Sequence, residues 1–199
     1  MKRLAFLLLV LPGIARADGE APGTWTIQPG QVGPVRVGQP LPRSLREPEA
    51  GGEYFVGYVS DGQPVEGLEW KDPPIRVRMR SGPFTRKAAR AYVAPDATPC
   101  RARALREIRK GTRVLEVAVT GPGPATSEGH GVGSTLADLR RSWPDLSPHP
   151  VPPTRGQDEC VANPPSLPGV WFFFRSCREA EAGDPVIRVD VRDPRPRRR

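Results

Sequence analysis

Two short internal matches constrain this chain more than any other feature. DPPIRVRMR (72–80) and DPVIRVDVR (184–192) share six of nine residues at an offset of 112. VGQPLPRSLRE (37–47) and VGSTLADLRRS (132–142) share V-G-x-x-L at an offset of 95, each followed by a leucine-bearing stretch. Both pairs occur in the same order, and the Pro-rich segment 147–159 can hold most of the extra length in the second copy. A repeat decides the fold before any single element does. The expectation is an α+β fold of two related units, each a glycine turn, a short helix and an antiparallel β-meander. The boundaries follow: a first unit over 18–80, a linker over 81–112, a second unit over 113–192 and a basic tail over 193–199.

Hydrophobic alternation and Pro/Gly punctuation place the elements. TWTIQPG and PVRV read as short strands before Gly38, after which Pro40 suits the first position of a brief helix and Pro42 limits its regularity. EYFVGYV (53–59), VEGLEW (65–70) and PIRVRMR (74–80) read as three strands. In the last of these the apolar residues take one face, and Arg76, Arg78 and Arg80 form a solvated row on the other. RVLEVAV (113–119), ECVAN (159–163), GVWFFFRS (169–176) and PVIRVDVR (185–192) are strands of the second unit. The run WFFF, apolar on both faces, belongs to a central strand. A helix is expected over about 134–143, with Leu136 and Leu139 on one face. TRKAARAY (85–92) has helical spacing, and residues 102–110 fit a helix or a strand.

The N-terminus points out of the cytoplasm. Lys2 and Arg3, the apolar run Leu4–Leu11 and Ala15-Arg16-Ala17 make a signal peptide over 1–17, cleaved after Ala17. Eight apolar residues before Pro12 are too few to span a bilayer core of about 30 Å, so the cleaved chain is not expected to be a transmembrane protein. No cysteine follows the run, which disfavours a lipid anchor. The expected location is periplasmic or extracellular. In such a compartment Cys100, Cys160 and Cys177 make one disulfide and one odd thiol. Cys160 and Cys177 flank two expected strands and are the leading pair, with pairings to Cys100 as the alternatives.

The net charge of +8 needs correcting for these ends. Losing Lys2, Arg3 and Arg16 leaves +5, and the last eight residues, RDPRPRRR, carry +4 of that. The body is therefore close to neutral. Arg192, Arg195, Arg197, Arg198 and Arg199 are the candidate contacts of a tail that could touch anionic lipid or lipopolysaccharide. The Arg-dense stretch 101–113 lacks interleaved aromatics, so no nucleic-acid partner is expected.

GHGVGSTLADLRRSW (129–143) is the one stretch that suggests chemistry. Its G-x-G-x-G spacing fits neither a dinucleotide fingerprint nor a Walker loop, and no cofactor is expected. Two histidines 19 residues apart offer no metal-ligand set. Ser134 near His130, with Asp138 following, admits a serine hydrolase as the alternative function, although G-V-G-S-T is not a nucleophile elbow. The same residues make a helix start: Gly133 turns the chain, Ser134 or Thr135 caps it, and Thr135 with Asp138 has capping-box spacing. Gly38 is the counterpart of Gly133 in the first copy, where Gln39 and Pro40 stand in place of Ser134 and Thr135.

The segments I-x-P-G-x-V-G-P-V-R-V-G-x-P-L (27–41) and G-x-G-V-G-S-T-L-A-D-L (129–139) resemble turns found in uncharacterised exported bacterial proteins and lipoproteins. More distantly, the plan is similar to the tandem helix-plus-sheet units of the β-lactamase inhibitor protein and to small outer-membrane-assembly lipoproteins. That resemblance implies an exported, non-catalytic protein that binds another envelope or secreted component. It carries over no functional residue, because the shared positions are turn and helix-start residues.

Overall fold

The structure is a computed structural model, and it describes residues 25–46, 51–58, 64–79, 112–151 and 159–195. The signal segment 1–17, most of the linker with Cys100, and Arg197–Arg199 lie outside these residues. A small antiparallel sheet comes first, made of β1 (Ile27–Gln28), β2 (Gln31–Val32) and β3 (Val35–Arg36). The tight turns between its strands place Gly30 and Gly33 at positive φ. Gly33 also has no room for a side chain, because the Trp25 indole lies directly over it. Helix formation comes later than the sequence suggests. Pro40 and Pro42 both stay outside it, and a single 3₁₀ turn covers Arg43–Arg46. Pro42 disfavours the α region for Leu41 and so keeps Pro40 from opening a helix.

Among the described residues, the remaining strands join one eight-stranded antiparallel sheet. They are β4 (Glu53–Tyr58), β5 (Pro64–Trp70), β6 (Ile75–Met79), β7 (Val114–Val119), β8 (His149–Pro150), β9 (Cys160–Ala162), β10 (Val170–Phe174) and β11 (Arg188–Arg192). Their spatial order is β4-β5-β6-β7-β11-β10-β9-β8. Two helices follow the β7 strand in sequence: α1 (Leu136–Ser142) and α2 (Cys177–Glu181). This is an α+β architecture, as expected. The strand order adds something that local patterning cannot give, namely that β7 and β11 sit side by side at the middle of the sheet.

One sheet face carries the core. Leu68, Trp70, Ile75, Val77, Val117, Val119, Phe172, Phe174, Val189 and Val191 are fully buried. The small sheet supplies Ile27, Val32 and Val35 to the same core, and α1 supplies Leu136 and Leu139. Burial of such side chains contributes about 1.5–3 kcal/mol each before conformational entropy is counted. WFFF behaves as expected: β10 lies between β11 and β9, and Phe173, on the outer face, is also buried.

Cys160 and Cys177 form a disulfide, with a Cα–Cα distance of 4.9 Å. Cys160 is paired with Phe174 in the β9–β10 ladder, which brings the start of α2 over it. Among the described residues no helix is long and apolar enough to cross a membrane.

Candidate functional site

The capping residues settle first. Gly133 adopts φ of +97°, and α1 begins at Leu136, so Ser134 and Thr135 precede the helix. Thr135 is the N-cap. Its hydroxyl accepts from the Asp138 N–H at 3.2 Å, and its own N–H donates to Asp138 Oδ2 at 2.8 Å. This is a full capping box built with Asp. The Thr135 N–H holds the Asp138 carboxyl below its usual range, helped by the Thr135 hydroxyl and the Arg141 charge. Ser134 Oγ accepts the N–H of Gly131 at 3.1 Å and so braces the turn.

His130 is buried, and its ring faces a different serine from the one its sequence neighbourhood suggests. Nε2 lies 2.8 Å from Ser142 Oγ, at the last residue of α1. The Thr126 hydroxyl accepts the His130 N–H, and the Thr126 N–H donates to the His130 carbonyl. The Trp143 ring packs at 5.2 Å from the imidazole and in turn at 5.9 Å from Phe172, which ties the histidine to the core. Among the described residues no carboxylate hydrogen-bonds the other ring nitrogen. Ser142 sits at a helix C-terminus, where the carbonyl ends disfavour a developing oxyanion. Among the described residues the His130–Ser142 pair therefore has no third group of the kind that orients the histidine in a catalytic triad.

The strongest electrostatic feature lies on the outer sheet face, and motif reading missed it. A chain of alternating charges crosses the middle of the sheet. Glu159, just before β9, receives both Nη groups of Arg188 at 3.1 and 3.0 Å. Arg188 Nε donates to Asp190 Oδ1 at 3.0 Å, and Arg192 Nη2 donates to Asp190 Oδ2 at 3.1 Å. Arg192 Nε lies 2.6 Å from Glu116 Oε2, as a close ion pair without an aligned hydrogen bond. Arg78 Nη1 completes the chain 3.7 Å from Glu116 Oε1. The guanidinium of Arg188 covers the Phe173 ring at 4.0 Å, and that of Arg192 covers Trp171 at 4.8 Å.

Burial pushes the Asp190 carboxyl up to about 6, with Glu116 adding to the rise and Arg188 and Arg192 opposing it. Burial works against the Arg188 charge, but Asp190 and Glu159 outweigh it and hold its pKa above the ordinary arginine value. Three arginines thus meet three carboxylates, and the charges balance, although the buried Nε atoms of Arg78 and Arg192 have no hydrogen-bond partner. Of the expected solvated arginine row, Arg80 lies outside the described residues, and the other two differ from each other. Arg76 is exposed and donates to Glu69 at 2.9 Å, whereas Arg78 is half-buried against Glu116. The signal that could have exposed this chain in the sequence is the alternation of Arg188, Asp190 and Arg192 on one face of a strand.

The remaining candidates are placed as follows. Arg192 belongs to β11 and is held by Glu116 and Asp190, so it is not a free tail residue. Arg195 is exposed and pairs with Asp193. Among the described residues no group of three or more His, Cys, Asp or Glu side chains could hold a metal ion. Compared with protein-family models, curated proteins and solved structures, the chain matches none.

Proposed function

We propose that this is an exported, non-catalytic protein that binds another component of the envelope or the secreted milieu. One observation carries the reading: among the described residues, the side chains of the 129–143 stretch that suggested chemistry, and the buried Asp190, are already committed to the fold. Ser134 braces a turn, Asp138 closes a capping box, and His130 is clamped between Ser142 and Trp143. Asp190 is saturated by two arginines. The disulfide supports export, because such bonds persist in oxidising compartments.

The test has two arms on the full-length chain expressed with its N-terminal segment. Mass measurement of the mature protein is expected to show a new N-terminus at Asp18. Photo-crosslinking in intact cells is expected to give one reproducible adduct with an envelope component. Turnover of an ester or peptide substrate that disappears in Ser142→Ala or His130→Gln would overturn the non-catalytic reading. Binding through the tail is checked by truncating after Asp193 and measuring salt-sensitive binding to anionic vesicles. Loss of that binding would assign the contact to the last residues.

A further inference from the structure

We infer that the protein is two copies of one four-stranded unit, fused through a self-complementary strand edge about an internal two-fold axis at the Ala118–Asp190 pair. The edge strand of the first unit is β7, that of the second is β11, and each unit's partner is the other copy. This does not rest on the binding reading.

The sheet order is the first observation. It divides into a meander β4-β5-β6-β7 and a meander β8-β9-β10-β11, joined antiparallel by their last strands. The second observation is a clasp that occurs twice. The Gly38 N–H donates to the Val114 carbonyl, and the Val114 N–H donates to the Gln39 carbonyl. In the same way the Gly133 N–H donates to Val186, and the Val186 N–H donates to Ser134. Both turns are closed by a further matching bond, from Gln39 N–H to the Arg36 carbonyl and from Ser134 N–H to the Gly131 carbonyl, each 3.2 Å. Gly38 and Gly133 both take positive φ, at +82° and +97°, with nothing within 4 Å of an added Cβ. Glycine is therefore required at both for its backbone and not for lack of space. Leu41 and Leu136, three residues on, are both buried.

Strand register supplies an independent check. Ile75 and Val77 face Val119 and Val117 on β7, while Val170 and Phe172 face Val191 and Val189 on β11. This makes β6 equivalent to β10 at an offset of 95, the same offset that relates Gly38 to Gly133. The clasps relate Val114 to Val186, an offset of 72, which makes Ala118 equivalent to Asp190. Those two residues are paired with each other in the ladder, with Val117 opposite Val191 and Val119 opposite Val189. A strand pair in which a residue faces its own equivalent is what a two-fold axis demands. Nothing in the clasps themselves imposes that register.

The relation revises the repeat. The matched segments 72–80 and 184–192 fall on β6 and β11, which flank β7 and are not equivalent. β7 belongs to the first unit, and the connection before it is 23 residues longer than its counterpart in the second. The equivalence also relates two outer-face pairs. Arg78 with Glu116 in the first unit occupies the place of Phe173 under Arg188 in the second. Ser134 stands where the first copy has Gln39, and both contribute a backbone carbonyl to the same bond.

Native-state hydrogen exchange on the full chain tests this. The Gly38, Val114, Gly133 and Val186 amides are expected to be protected to the same order of magnitude. Gly38→Ala and Gly133→Ala should each lower protection in their own clasp about tenfold, as forcing an L-residue into this region does, and leave the other clasp within about twofold. Exchange of either clasp at the free-chain rate in the wild type overturns the inference, and that measurement stands even if a variant fails to fold. A tenfold disparity between the two substitutions also overturns it.

Discussion

Among the described residues Asp190 is the most deeply buried charged side chain. Its carboxyl sits on the outer face between Arg188 and Arg192, and burial pushes it up to about 6 from an ordinary value of 3.8. The folded protein therefore binds this proton more tightly than the unfolded chain between about pH 4 and 6. Stability from this group is greatest below that window and declines as pH rises through about 6. Asp190→Asn, a neutral isostere, should remove the slope. Urea unfolding at pH 4 and pH 7 is expected to show the wild type losing up to roughly 3 kcal/mol relative to the variant. Identical slopes in the two proteins would place the titration elsewhere. Thr135 is a simpler case, because its hydroxyl satisfies an N–H that has no intrahelical partner. Thr135→Ala should cost about 1 kcal/mol, read from the urea midpoint. The Asp138 carboxyl is held below its usual range, so the capping box is intact above the unfolded carboxylate range and weakens as pH falls through the lower folded value.

At the scale of elements, short pieces are held by what they touch and not by their own propensity. α1 has seven residues and α2 has five, too few to persist alone. α1 survives through its capping box and through Leu136 and Leu139 in the core. α2 survives through Ser176 capping at the Glu179 N–H and through the disulfide at its first residue. The Cys160–Cys177 bond closes a separation of 17 residues. Cys177→Ala should therefore lower stability by about 3 kcal/mol. The loosening should appear first in β9 and α2, and hydrogen exchange would locate it. Thiol titration of the denatured, unreduced protein is expected to find one reactive thiol, Cys100.

Across the whole molecule, one sheet divides two environments. Its inner face is apolar from β5 to β9 and takes the small sheet and both helices. Its outer face is bound by the charge chain from Arg78 to Glu159. Phe172 lies on the inner side, fully buried between β9 and β11 and packed near Trp143. Phe172→Ala should cost about 3–5 kcal/mol in chemical denaturation. It should also loosen the Trp143–His130 contact, which Trp fluorescence would report. A loss below about 1 kcal/mol would show that the inner face is not the core.

Strand content was legible because it is local. Alternation along 74–80 and 113–119, turn residues at their ends, and the apolar run 170–174 fixed where strands lie and which faces are buried. The Thr135–Asp138 spacing pointed to a cap at Ser134 or Thr135, which the structure places at Thr135, and the flanking strands made Cys160–Cys177 the leading pair over Cys100, which the structure forms. Partner choice was not legible, because a strand's pattern states that it pairs and not with which strand. The placement of β7 against β11 depends on contacts between residues 70 to 76 positions apart, and the ion chain from Arg78 to Glu159 is closed by links across 38, 76 and 29 positions. His130 was read with Ser134, four residues away, whereas one turn of chain and a helix bring it to Ser142. The strongest sequence match falls on β6 and β11, two strands that both carry apolar residues inward and charged ones outward. That β6 and β11 flank β7, with Ala118 opposite Asp190, is decided by the ladder alone, because backbone pairing between distant strands leaves no local mark in the sequence.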